Sequence, residues 1–190
     1  LTKQPLHHFV QNKVNPYMQA ILAIMPSFFQ YDHDGKIPLY GMGATFPKLN
    51  EDETKQFFRI LGRGSGQKVP ESAEMMNLFY MNSFTYLQGS EPTQLAPAIK
   101  GLTDWTKDQA KQKPHVYTVA VVFTDGLIND VQDTVKALCD ASHFGLSVVI
   151  VCVTDHKDIT DMVKSVLDND EFLVPTLKGN NQTMLRDIVQ

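Results

Sequence analysis

A chain of 190 residues, 43% of them hydrophobic, is long enough for one substantial core and too short for two ordinary domains. A formal net charge of -4 and a pI near 5.8 give it no broad electrostatic pull toward nucleic acid or anionic lipid. Its two cysteines form neither a disulfide framework nor a zinc motif, no apolar run reaches the roughly 18 residues of a membrane span, and no charged-then-apolar leader opens the chain, so the expectation is one soluble, cytoplasmic domain.

The first element follows a polar start. Asn15-Pro16 reads as a helix opening, with Asn15 as cap and Pro16 in the first turn. Tyr17, Ala20, Ile21, Ile24, Met25 and Phe28 then recur at the spacing of one helical face, interrupted by Pro26, which removes a hydrogen bond and predicts a kink or tightening. Asp32-His33-Asp34-Gly35 makes a loop. A short strand in "KIPLYGMGA" ends in glycines that allow close backbone approach, and "KQFFRILG" is a second strand beyond a polar turn at 48–54. After the flexible "GRGSGQKVPES", the pattern predicts a helix over about 71–86 with Met75, Leu78, Phe79 and Tyr86 inward.

A helix carrying Leu95, Ile99 and Leu102 leads to Trp105 and a basic, polar loop. "VAVVFTDG" and "LSVVIVCV" are Val-rich runs suited to strands buried on both faces. Between them Val131, Val135, Leu138 and Cys139 line a helix that Gly145 ends, and Ile159, Met162, Val163, Val166 and Leu167 share a face of a last helix. Alternating apolar strands and one-faced helices predict a three-layer α/β domain with a mostly parallel sheet.

Asp125 stands at the carboxyl end of the first Val-rich strand. In open α/β sheets that edge binds ligands, so its carboxylate could hold a cation or act as a base; an Asp-Gly pair is equally a turn former. Other sites are weaker. Gly62, Gly64 and Gly66 have the wrong spacing for a dinucleotide loop. His7-His8 lacks an acid or cysteine at ligand spacing and reads as structural or incidental, and Asp32, His33 and Asp34 read as a hydrophilic turn. The sequence has no G-x-S-x-G elbow and no phosphate-binding P-loop.

Four segments in order carry a family resemblance. "NPYMQAILAIMPSFFQYDHDGKIPLYGMGA" resembles the copine von Willebrand factor A stretch, in which an NPY-x-x-AI helix leads through a Tyr-Asp turn to an F/Y-G-x-G-A strand. "FTDGLINDVQDTVKAL" is similar to the family's T-D-G-x-I-x-D segment, "SHFGLSVVIVCV" to its SVIIVGV strand, and "LRDIVQ" to its R-D-I-V-Q. The resemblance implies a Rossmann-like fold and a protein-interaction module, usually joined to two C2 domains that bind phospholipid with Ca²⁺. A related module occurs in RING-bearing plant ubiquitin ligases.

It also implies a Mg²⁺ or Mn²⁺ site at the sheet edge, with Asp125 as the third-loop Asp and Thr93, in "GSEPTQLAPAI", as the second-loop Thr. The family's first strand and D-x-T-x-S loop precede the segment with which this chain begins. The expectation is therefore that 1–190 is a single copine-type domain without that strand and loop, the central slot being filled by an upstream segment or by a second copy. The alternative is an α/β enzyme using Asp125 or Asp130 at the same edge.

Overall fold

The computed structural model describes residues 7, 13–62, 69–92, 94–125, 128–154, 157, 160–161, 163–164 and 184–189. The chain divides into two compact units, Leu1–Glu91 and Pro92–Gln190. Among the described residues both helices and strands occur, and the protein is mixed α/β.

In the first unit, helix α1 spans Pro16–Tyr31 and starts as its sequence dictates. Asn15 Oδ1 accepts the Met18 N–H at 2.9 Å, satisfying one of the amides that a helix leaves unpaired at its start, and Pro16 supplies no N–H there. Tyr17, Met18, Ile21 and Met25 are buried. The helix continues through Pro26, whose ring lies on the exposed side.

The loop that follows is the expected hydrophilic turn. Asp32 Oδ2 accepts the N–H groups of Asp34 (3.3 Å) and Lys36 (3.0 Å), and Gly35 takes φ +64.

The strands of this unit are short and antiparallel. β1 (Leu39–Gly41) pairs with β4 (Phe58–Ile60), while β2 (Ala44–Phe46) lies between β3 (Glu51–Lys55) and β5 (Gln88–Gly89). The single strand expected in "KIPLYGMGA" is thus two, broken where Gly43 takes φ +67. β3 occupies a stretch whose polarity suggested only a turn. As a charged strand at the sheet's edge it needs no apolar face, so the alternation that reveals half-buried strands is missing. Gly41 is needed where it stands: a Cβ there would lie 2.5 Å from Phe58 Cζ.

Helix α2 spans Ala73–Ser83, shorter than predicted, with Ser72 Oγ capping the Met75 N–H at 3.2 Å. Its inward face is rotated from the predicted one. Met76, Asn77, Phe79 and Tyr80 are buried, while Leu78 is 57% exposed. Asn77 Nδ2 donates to Met18 O at 3.1 Å and Asn15 Nδ2 to the Tyr80 hydroxyl at 3.2 Å, so two polar side chains fix the packing of α2 on α1 that apolar periodicity alone misplaced.

In the second unit, α3 spans Ala96–Gln112 and carries Trp105 within it, extending past the point where a basic loop was predicted. β6 (Thr118–Thr124), α4 (Val131–Ala141) and β7 (Leu146–Cys152) follow in order. α4 ends at Ala141, four residues before the predicted Gly145 stop; its last turn closes through the Ser142 N–H.

β6 and β7 pair in parallel, from Thr118 opposite Leu146 to Thr124 opposite Cys152. On the other edge of β7, Val148 N–H donates to Ile188 O at 2.7 Å and Val148 bridges Val189 in parallel. Arg186 Nη2 donates to the carbonyls of Phe144 (2.6 Å) and Leu146 (2.7 Å), fastening the same segment beside β7. Leu146 and Val148 are fully buried, as are Ile99 of α3 and Leu138 of α4.

Parallel pairing among the described strands is confined to this unit, in contrast to the mostly parallel sheet predicted. β6 is also less enclosed than predicted. Val119 is 48% exposed, because one face of the strand meets less of the core. Past β7, the described positions Lys157, Thr160, Asp161, Val163 and Lys164 are helical, with Val163 buried; Ile159, Met162, Val166 and Leu167 lie outside the described residues.

Candidate functional site

The carboxyl end of β6 is the focus. Seven parallel pairs hold the strand, and Val153 N–H donates to Thr124 O at 2.7 Å as the last tie to the chain beyond β7. Thr124 is buried, and Asp125, half-buried, is the first residue beyond the ladder. The predicted position of Asp125 at the strand's end is therefore the observed one. Thr93, the second predicted ligand, lies outside the described residues.

Asp130 closes the described part of the loop that Asp125 opens. Its Oδ1 accepts the Leu95 N–H and its Oδ2 the Ala96 N–H, both at 2.9 Å, and Thr134 Oγ1 donates to Oδ1 at 3.2 Å. These amides open α3, whose cap residue Leu95 has no side-chain acceptor of its own. A carboxylate here satisfies two orphan donors and meets the positive end of the helix dipole. Hydrogen bonds to a charged group contribute about 1.5–3 kcal/mol each.

Sequence reasoning named Asp130 only as an enzymatic acid. An Asp directly before an apolar-periodic helix is also an N-cap signal, which was legible. The signal's target was not: α4 receives no side-chain cap from Asp130, which caps α3 instead, 34 and 35 residues away in sequence.

Cys152 pairs in register with Thr124, near this edge. Burial pushes its thiol above the ordinary range, with Lys164 opposing, so the neutral thiol is favoured near pH 7. Cys139, buried in α4, is raised by burial and further by Asp140.

His7 belongs to a separate cluster in the first unit. Its Nδ1 lies 2.7 Å from the Tyr80 hydroxyl and its ring stacks on Tyr17 at 4.2 Å, the structural use that its sequence context suggested. His8 lies outside the described residues.

The chemistry of the donors can be compared with a divalent cation. Asp125 offers hard carboxylate oxygen, the type that Mg²⁺ and Mn²⁺ take. Asp130 turns both of its oxygens to backbone amides. Among the described residues no three His, Cys, Asp or Glu side chains converge at metal-binding distance, so the fit rests on Asp125 with oxygens from beyond the carboxylate and imidazole set.

The copine family model matches residues 5–190, and the chain belongs to the copine family. Copine-A of Dictyostelium discoideum is 28% identical over 185 residues, which cover 97% of this chain and 29% of that protein. Nicotinic receptor-associated protein 1 of Caenorhabditis elegans is 26% identical over 186 residues, 97% of this chain and 28% of the relative. Protein BONZAI 2 of Arabidopsis thaliana is 27% identical over 187 residues, 96% of this chain and 30% of the relative. The chain thus spans less than a third of the length of each. No helix among the described residues is long and apolar enough to cross a membrane.

Proposed function

We propose that residues 1–190 are one copine-type von Willebrand factor A domain of Rossmann-like architecture, working as a protein-docking module rather than an enzyme. Asp125 and Thr93 are two ligands of a Mg²⁺ or Mn²⁺ ion in this reading, and an acidic group of the partner completes the coordination. The ion would supply Lewis acidity toward a partner carboxylate, while Asp125 orients it at the sheet edge.

The observation that supports the reading is the position of Asp125, held at the carboxyl end of β6 where parallel α/β sheets gather ligands. A relative named for association with a nicotinic receptor is in keeping with docking. The full-length protein, in this proposal, is cytoplasmic and reaches phospholipid through Ca²⁺-binding C2 domains elsewhere in its sequence.

The enzyme reading loses one of its two candidate groups, since Asp130 is engaged by backbone amides. Calorimetry on the full-length gene product decides the metal. Mg²⁺ or Mn²⁺ should bind to wild type and bind at least about tenfold more weakly to Asp125→Ala. Equal heats from the two proteins would remove Asp125 from the site.

A further inference from the structure

The corner where β6 and β7 begin lies at the opposite end of β6 from Asp125, and it grips a short segment of chain. Leu185 N–H donates to Ser142 Oγ at 2.9 Å. Arg186 Nη2 serves the carbonyls of both Phe144 and Leu146, and the guanidinium carbon lies 5.4 Å from the centre of the Tyr117 ring. Ile188 and Val189 then run beside Val148 and are each 1% exposed, whereas Leu185 and Asp187 face solvent. From 185 to 188 the alternation is that of an outer strand. Among the described residues, the hydrogen bonds and ring contacts that this segment makes outside itself all go to Tyr117, Ser142, Phe144, Leu146 and Val148.

Most of the grip is fixed without the segment. Phe144 N–H donates to Ala141 O at 2.9 Å and Thr118 N–H to Gly145 O at 2.7 Å, which hold the turn carrying the acceptor carbonyls. The Tyr117 hydroxyl meets Ser147 Oγ at 2.8 Å, which holds the ring. Ser142 Oγ spends its own proton on Cys139 O at 2.7 Å and so meets Leu185 as an acceptor. A site built in advance suits an extended ligand added along a strand edge, because little of it has to be ordered on binding. An arginine answers paired carbonyls and an aromatic face better than a lysine does, and aliphatic side chains must follow two and three places later.

We infer that this corner is a docking site for an extended Arg-x-Ile-Val segment, and that its partner in trans is the same segment of a second copy, giving a strand-exchanged dimer. A second copy carries the sequence already seated there, so each contact is reproduced and only the connection between the two differs. Concentration then decides. A tethered segment competes at an effective concentration of about millimolar, so dilute chains keep their own segment and crowded chains exchange it.

Arg186→Lys keeps the charge and loses the fork, which weakens the protein's hold on its own segment. In the full-length gene product carrying this change, a fluorescent peptide of residues 183–190 should bind at least about tenfold more tightly than it binds wild type, read by anisotropy. A peptide with the same substitution should bind about tenfold more weakly than the unaltered one. Wild type refolded from urea at about 300 µM should contain a dimer by light scattering that refolding at about 1 µM lacks, and excess peptide during refolding should suppress it.

The docking site is overturned if the Arg186→Lys protein binds the peptide no more tightly than a scrambled one. The second copy is overturned as occupant if wild type stays monomeric at both concentrations. It is equally overturned if excess peptide leaves the dimer untouched, since the copies then meet elsewhere. The refolding arm needs no variant, so a folding defect in Arg186→Lys would not shelter the proposal.

Discussion

Asn15 shows how much one polar side chain can organise. It is 5% exposed, its oxygen caps α1 and its N–H₂ reaches the Tyr80 hydroxyl on α2. Asn15→Ala should therefore cost about 1–2 kcal/mol in urea unfolding, the upper range for a lost cap, because Tyr80 also loses a donor. Burial pushes the Tyr80 phenol up to about 12, outweighing the Asn15 bond, which lowers it. The fold thus favours the neutral phenol. This contribution to stability is complete below the ordinary value of 10.0 and is lost as pH rises through about 12. Tyr80 should ionise near 12 in an ultraviolet titration of the folded protein, and Tyr80→Phe should delete that step. The cap was legible from Asn-Pro alone. The bond to Tyr80 was not, because it joins residues 65 apart.

Among the elements, α1 carries the least comfortable residue. Pro26 lies inside a helix of 16 residues, on its exposed side, and supplies no amide to the turn before it. Pro26→Ala restores that donor without touching the core and should raise stability by about 1–3 kcal/mol, measured by thermal or urea unfolding. The opposite sign holds at Gly41. An added Cβ would lie 2.5 and 2.6 Å from ring atoms of Phe58 across the β1 and β4 pair, so Gly41→Ala should destabilise by about 1–3 kcal/mol, with partial recovery in the double variant with Phe58→Leu. Val-rich β6 and β7 were legible because a β-branched apolar run of strand length is a strand signal even where burial is partial. α2 was misphased because its inner face includes Asn77 and Tyr80, which a search for apolar spacing passes over. β3 was missed because an edge strand of Glu, Asp and Lys resembles a loop.

At the scale of the molecule, the acidic balance argues for discrete contacts instead of general adhesion to polyanions. At about 0.15 M ionic strength the protein should leave labelled duplex DNA unshifted in a gel assay, since a net charge of -4 gives no excess of cations to displace counterions. The candidate site was half legible. A carboxylate at a strand's end can be read from an apolar run and a stop, whereas the capping of α3 by Asp130 depends on where α3 begins in space. The fastening of β7 has a further consequence, for synthesis. A ribosome releases Leu146 and Val148 long before Arg186, Ile188 and Val189, yet those later residues provide the bonds along that edge. Until they emerge, a strand rich in Val and Ile presents open amides to every other nascent chain nearby, a window in which chaperone occupancy would matter more than final stability.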